Sequence, residues 1–212
     1  AELDALIASG YTINNSTPQL GTLHYKDIRG VDSDEPDGKV TDEDKDWIIT
    51  RSSPPVKYGF YVGAEWKGLE LNLFFQGATG HKIMENQRLS VFNPRTKNFD
   101  VFTDHWTPTN VNASFPRAEM GSWNTYPESS FWVYNGSYLR LKNLNLSYAL
   151  PKSILSKLHV SQLKVFFTGT NLLLLEDHVK IFDPELGDSQ NPDNIRMYPV
   201  TKTYSFGINL SF

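Results

Sequence analysis

The residues of this sequence that could perform chemistry are its carboxylates. The chain has 24 aspartates and glutamates among 212 residues and no cysteine, which excludes a thiolate metal site, a cysteine nucleophile and a disulfide framework. Its five histidines show no HExxH or other metal-binding spacing, and the sequence has neither a GxSxG elbow nor a phosphate-binding glycine loop. A pair of acids of the glycosidase type stays open as an enzymatic alternative among the many carboxylates, and we do not favour it.

Nine of the acids are concentrated between Asp27 and Asp46, where only three basic residues accompany them. This acidic segment carries −6, nine acids against three bases, whereas the whole chain carries −4. The remaining residues thus carry +2, far from the basic surface that nucleic-acid binding requires, and we expect no nucleic-acid partner. The chain is therefore not generally acidic but carries one acidic loop, which is typical of a solvated surface loop.

Alternation of apolar and polar residues predicts the elements that position these groups. Strands are expected at residues 56–66, 69–76, 137–150, 161–171 and 199–212. The first two are separated only by Lys67-Gly68, which predicts a β-hairpin over 56–76. The phase of the third strand slips by one residue near Lys142-Asn143, which indicates a β-bulge. Residues 1–9 are expected to form a short helix, and Thr41 is expected to cap another.

Three properties of these strands favour a transmembrane β-barrel over a soluble sheet. Each strand is about ten residues long, which is enough to cross a bilayer when tilted. Long connections (1–55, 77–136 and 172–198) alternate with short ones, as extracellular loops alternate with periplasmic turns in outer-membrane barrels. Outward aromatic residues recur at the predicted periplasmic ends, at Trp66, Tyr148 and Phe212. The polar faces carry the residues predicted to line an aqueous lumen: Glu65, Glu70, Asn72, Gln76 and Lys164. A soluble β-sandwich would show similar alternation and remains the alternative.

Stretches of the sequence, taken in order, resemble the carboxy-terminal region of SusC/RagA-type TonB-linked outer-membrane transporters. They are GTLHYKD at 21–27, DGKVTDED at 37–44, YGF at 58–60, WTP at 106–108, FPR at 115–117, GSYLRLKNLNLSYALP at 136–151, VFFTGTNL at 165–172, FDPE at 182–185, and YP at 198–199 followed by TYSFGINLSF at 203–212. The ordered set covers nearly the whole chain.

The resemblance implies the last portion of a 22-stranded antiparallel barrel with long extracellular loops, in the outer membrane of a Gram-negative bacterium. Transporters of this family import oligosaccharides or peptides, draw energy through the TonB complex and work with a SusD-like surface lipoprotein. We expect this chain to be a carboxy-terminal part that acts together with the rest of the barrel, a plug domain and the lipid bilayer, and not to transport by itself. A soluble carbohydrate-binding β-module is the alternative function.

Two groups of site residues follow from the resemblance. Members of the family often carry an EF-like loop in the acidic segment, which implies possible calcium ligands at Asp37, Asp42 and Asp44, although six inserted residues, 31–36, break the usual spacing. The last strand of the family carries an assembly signal, which Gly207, Leu210 and Phe212 match while Phe206 departs from it. The other interpretation of Phe212 is that it simply faces lipid. No cofactor besides calcium is expected.

Overall fold

The computed structural model describes residues 2–47, 53–84, 103–117, 129–179, 183–185 and 200–212. The chain divides into two units, one formed by Ala1–Ile49 and Glu85–Val133 and the other by Thr50–Met84 and Tyr134–Phe212. The elements of each unit follow from its own local sequence.

The first unit has short elements. Helix α1 (Glu2–Ala8) occupies the segment predicted as a helix, and strand β1 (Thr12–Ile13) pairs in parallel with β2 (Lys39–Val40). Single turns of 3-10 helix lie at Asp42–Asp44 and Ser130–Trp132. The predicted cap is present, because the Thr41 hydroxyl accepts the N–H of Glu43 and the Asp44 carboxylate accepts the N–H of Thr41.

The second unit is dominated by one five-stranded antiparallel sheet. In the order in which they lie across the sheet, its strands are β3 (Val56–Trp66), β4 (Leu69–Thr79), β7 (Tyr138–Ala149), β8 (Gln162–Asp177) and β9 (Thr203–Ser211). A separate two-stranded sheet pairs β5 (Lys82–Met84) with β6 (Val133–Asn135), and helix α2 (Lys152–Leu158) joins β7 to β8. The predicted antiparallel all-β class is confirmed.

The turn between β3 and β4 depends on its two residues. Lys67 and Gly68 have φ values of 49° and 86°, the left-handed conformation at both central positions that defines a type I′ hairpin turn. A Cβ on Gly68 would also lie 2.7 Å from the carbonyl oxygen of Ala149 on the neighbouring strand β7. Glycine is therefore required here both for its backbone angle and for its lack of a side chain.

Two strands are longer than the alternation predicts. β4 continues to Thr79 and β8 to Asp177, where the pairing of Tyr138 with Asp177 extends the ladder. Periodicity misses these ends for physical reasons: residues 77–79 are small, and four consecutive leucines at 172–175 have no alternation to detect. The predicted loops 77–136 and 172–198 thus begin with strand residues, and the first also contains β5 and β6.

The bulge predicted near Lys142-Asn143 is confirmed. In the ladder between β4 and β7, Phe74 lies opposite Asn143 while the next residue, Phe75, lies opposite Leu141. Lys142 is the extra residue, and it has no paired residue in the register on β8 either. A bulge inserts one residue into a strand and thereby interrupts the alternation of side chains between the two faces. Arg140, Lys142 and Asn143 therefore depart from strict alternation.

Candidate functional site

One face of the five-stranded sheet is apolar and exposed to solvent on all its strands. Phe206 in the middle of β9 is 80% exposed, and Phe212 at the end of the chain is 92% exposed. The other large exposed side chains on this face include Val56, Phe60, Val62, Trp66, Leu69, Leu146, Tyr148, Val165, Leu173, Tyr204, Ile208 and Leu210. A patch of this extent on a sheet is characteristic of a surface that meets another apolar phase.

Aromatic residues mark the end of this face that carries the short connections. Trp66 pairs with Leu69, and Leu69 pairs with Tyr148, so the predicted girdle residues Trp66 and Tyr148 lie close together across three strands. The ammonium of Lys67 lies 4.8 Å from the centre of the Trp66 ring. An aromatic ring at an apolar boundary with a cation beside it is typical of a membrane–water interface.

The opposite face carries polar and charged side chains as well as a stacked pair of aromatic rings, and three of the five predicted lining residues meet there. Glu70 accepts hydrogen bonds from Asn72 at 2.8 Å and from Lys164 at 2.8 Å, across the intervening strand β7. The buried hydroxyl of Ser147 donates to the same carboxylate at 3.3 Å. Sequence reasoning missed Ser147, because its position between Glu70 and Lys164 is set only by strand order.

The remaining two predicted lining residues lie on the same face but outside this network. Glu65 lies directly opposite Glu70 in the β3–β4 ladder and is exposed. Gln76 lies opposite Arg140 and is hydrogen-bonded to the side chain of Tyr138. All five residues therefore lie on one face of the sheet, and the assignment of that face to a lumen stays a prediction.

A second charged cluster lies on the polar face, and the sequence analysis did not identify it. The Arg140 guanidinium, only 5% exposed, donates to both carboxylate oxygens of Asp183 at 2.5 and 2.6 Å. Lys142 at the bulge donates to Glu185 at 2.5 Å. Two stretches that carry the family resemblance, RLKN at 140–143 and the DPE of FDPE at 183–185, therefore dock on one another, with Pro184 fully buried between the two acids.

The predicted assembly residues occupy both faces of β9. Gly207 lies on the polar face, where a Cβ would fall 2.2 Å from the tip of the Phe166 ring. Leu210 and Phe212 lie on the exposed apolar face. Among the described strands, β9 pairs only with β8, so its other edge is open within the described part of the chain. An open edge is the feature that strand-pairing machinery recognises, and the assembly role stays a prediction.

We expect Gly207→Val to reduce the amount of correctly assembled protein. The branched side chain would displace the Phe166 ring, and overpacking of this kind costs about 1–3 kcal/mol. Comparing the heat-modifiable folded band of the variant with the wild type measures this loss. Ser205→Val, on the same face of the same strand, is the matched control, and an equal loss in both variants would contradict a specific need for glycine.

The acidic segment is organised by one carboxylate. Asp44 accepts the backbone N–H groups of Ile28 at 2.6 Å, Arg29 at 3.1 Å and Thr41 at 2.7 Å. Burial raises the pKa of this carboxyl, but the three N–H donors and the positive charge of Arg29 outweigh burial and hold the pKa below its usual value. Asp44 thus joins the beginning of the acidic segment to its end.

The three predicted calcium ligands are each engaged within the protein. Besides Asp44, the Asp37 carboxylate accepts the N–H of Lys39, and Asp42 forms an ion pair with Lys45 at 2.8 Å. Within the described ranges, no group of three or more histidine, aspartate or glutamate side chains is placed to hold a metal ion. The calcium site stays a prediction, which equal calcium affinity in wild type, Asp37→Ala and Asp44→Ala would reject.

We expect the acidic segment to become less stable at acidic pH, because the Asp44 carboxylate becomes protonated. Because the pKa of Asp44 is lowered in the folded protein, its stabilising contribution is present above the unfolded value of 3.8 and is lost as the pH falls through the folded value. We expect protease cleavage within 27–46 to rise at acidic pH in the wild type, and to be high and less dependent on pH in Asp44→Asn. Asp42→Asn is the control, and a wild-type-like pH profile in Asp44→Asn would contradict the role.

Two other matched stretches pack together in the first unit. The N–H of Trp106 donates to the carbonyl of Phe115, and the N–H of Arg117 donates to the carbonyl of Gly21 at 2.7 Å. The Arg117 guanidinium also donates to the side chain of Gln19 at 2.9 Å. The WTP, FPR and GTLHYKD stretches are therefore joined by backbone hydrogen bonds.

These observations define a class: an antiparallel sheet with strands of membrane-crossing length, one face apolar and exposed, and the other polar and ion-paired. Within the described residues, no helix has the length and apolar character needed to cross a membrane.

Two curated relatives are similar to almost all of the chain. One is the TonB-dependent receptor P3 of Formosa agariphila, 31% identical over 185 residues, which cover 82% of this chain and 18% of the receptor. The other is the TonB-dependent receptor P26 of the same organism, 31% identical over 206 residues, which cover 92% of this chain and 20% of the receptor. The chain thus spans about a fifth of the length of these relatives. No protein-family profile matches the sequence.

Solved structures lead to the same group. The chain is similar to the RagAB peptide importer in its closed-closed state, with a TM-score of 0.62 and 28% identity over 87% of this chain and 20% of that one. A second RagAB peptide transporter structure gives a TM-score of 0.54 and 30% identity over 76% of this chain and 17% of that one. The chain belongs to the TonB-dependent receptors of the SusC/RagA type. Receptors of this family are outer-membrane proteins of Gram-negative bacteria.

Proposed function

We propose that this chain forms part of the barrel wall of a TonB-dependent active importer of oligosaccharides or peptides across the outer membrane. The observation that carries the proposal is the two-faced sheet: an exposed apolar surface on all five strands opposite a face where Glu70, Asn72 and Lys164 are hydrogen-bonded. A bilayer accepts the first face and a water-filled lumen accepts the second.

The strand connections orient the wall. The short connections, Lys67-Gly68 and the one that holds α2, lie at the end of the sheet marked by Trp66 and Tyr148. We infer that this end is periplasmic and that the acidic segment, residues 77–136 and the β8–β9 connection are extracellular, in line with the usual asymmetry of outer-membrane barrels. The charged cluster on Arg140 then lies toward the extracellular end of the inner face.

The partners follow from the same placement. We propose that the open edges of β3 and β9 pair with other strands of the barrel, that a plug lies within the lumen, and that a SusD-like lipoprotein covers the extracellular side. The similarity to RagAB, whose structures are described as a peptide importer, supports a two-component importer. Coupling to TonB would use other parts of the receptor.

Fractionation of cells that express the native full-length receptor tests this function. Recovery in the outer-membrane fraction, together with uptake of oligosaccharide or peptide that is lost when TonB is deleted, is the expected result. Recovery in the soluble periplasm would reject the importer and favour the soluble carbohydrate-binding module. Hydrolysis that disappears on neutralising a single acid, such as Glu65→Gln or Glu70→Gln, would instead support a glycosidase.

A further inference from the structure

The two cations of β7, Arg140 and Lys142, are matched by two acids of the chain, but the match is incomplete. Arg140 donates hydrogen bonds to both carboxylate oxygens of Asp183, and both side chains are largely buried. The contact of Glu185 is different. One oxygen of Glu185 accepts from Lys142, while the other lies 3.3 Å from the Nε atom of Arg140 without a hydrogen bond.

Two buried polar atoms are therefore left without hydrogen bonds among the described residues: the Nε–H donor of Arg140 and the second oxygen of Glu185. A buried donor without an acceptor is costly, more so when it is charged. Glu185 is ion-paired with both cations, but it makes a hydrogen bond only to Lys142. Its backbone N–H donates to Asp183, which holds Glu185 at the end of the same short segment. A free oxyanion has no such tether.

We propose that Lys142 and the Nε–H of Arg140 form a binding subsite for an oxyanion group, a carboxylate or sulfate carried by the imported substrate, which Glu185 occupies when no substrate is present. This inference rests on the proposed import function, and it narrows the substrate class to acidic molecules. The Arg140–Asp183 contact remains intact in both states and keeps the segment attached to β7.

Accessibility separates the two halves of the cluster. The Lys142 and Glu185 side chains are 25% and 19% exposed, compared with 5% for Arg140, so an anion can reach Lys142 without disrupting the buried pair. The bulge creates this arrangement: Lys142 is the extra residue, and it presents a second cation beside Arg140 on the polar face. A planar guanidinium edge beside an ammonium suits an anion with several oxygens.

Hydrogen exchange of the purified full-length receptor tests the subsite. The reporter is the Glu185 amide, which donates to Asp183, and the probe is sodium sulfate compared with sodium chloride at equal ionic strength. Sulfate should displace the Glu185 side chain and speed exchange in peptides that cover 183–185 by about tenfold, while chloride should change it little. In Lys142→Gln, exchange should be fast from the start and no longer respond to sulfate.

The matched control is Lys164→Gln, which breaks the ion pair with Glu70 on the same face and should leave the sulfate response unchanged.

An acidic peptide and an acidic oligosaccharide of equal charge, each with a neutral counterpart, then distinguish the two sources of the oxyanion. Equal effects of sulfate and chloride would overturn the subsite, since general screening would explain them. A sulfate response that neither acidic substrate reproduces would overturn the link to import. Neither result would bear on the outer-membrane location or on TonB-dependent uptake, which fractionation and uptake measurements test independently.

Discussion

Replacing Arg140 with methionine is expected to destabilise the receptor by about 3–5 kcal/mol, the usual result of removing one partner from a buried ion pair. Methionine keeps much of the side-chain volume but leaves the Asp183 carboxylate largely buried with no cation to accept from. The stability of an exposed ion pair, by contrast, changes by less than about 1 kcal/mol. The difference depends on burial and not on the number of charges removed.

The shift in the urea midpoint of the purified receptor, followed by tryptophan fluorescence, measures this effect. The double variant Arg140→Met with Asp183→Leu removes both charges and should recover much of the loss, because an apolar pair can replace a buried ion pair at little cost. Lys45→Gln, which breaks the exposed pair with Asp42, is the control and should be nearly silent. If Arg140→Met were as stable as Lys45→Gln, the Arg140–Asp183 contact would contribute little to stability.

Placing arginine at Phe206 is expected to cost about 2–4 kcal/mol, the penalty for a cation near the middle of the lipid-facing surface of a barrel. Phe206 lies midway along β9 and points from the apolar face, where it contacts Phe167 with ring centres 4.8 Å apart. If the face met water instead, an exposed arginine would be tolerated with little change.

Ser205→Arg provides the matched comparison, since Ser205 is the adjacent residue of the same strand and lies on the polar face. We expect Phe206→Arg to reduce the folded, outer-membrane fraction severalfold and Ser205→Arg to leave most of it intact, as measured by heat-modifiable mobility in gels. Equal tolerance of both substitutions would contradict a lipid-facing surface. A loss confined to Ser205→Arg would invert the assignment of the two faces.

Much of the fold could be predicted because it is encoded locally. The alternation of residues in β3, β7 and β9 gives both the strands and their faces, since side chains point to opposite sides at successive positions. Lys67-Gly68 gives the hairpin turn, because both residues adopt left-handed angles. The slip in phase at Lys142-Asn143 gives the bulge. Each of these signals depends on neighbouring residues alone.

Contacts between distant residues could not be predicted in this way. Glu70 and Lys164 are 94 residues apart, and Arg140 and Asp183 are 43 apart, so only the strand order and the position of residues 183–185 against β7 bring them together. The carboxylates that sequence reasoning selected for calcium include Asp44, which the structure instead surrounds with three backbone N–H groups. A carboxylate looks the same in the sequence whether it binds a cation or backbone N–H groups.

The sequence by itself determined that this chain forms antiparallel strands with one apolar and one polar face, and its ordered motifs indicated the receptor family. Periodicity and turn chemistry act over a few residues, and the sequence shows them directly. Only the tertiary structure decided which charges on the polar face are paired, which are buried and where a donor is left unsatisfied. Those properties depend on the register between strands and on where residues 183–185 contact the sheet, and tertiary packing sets both.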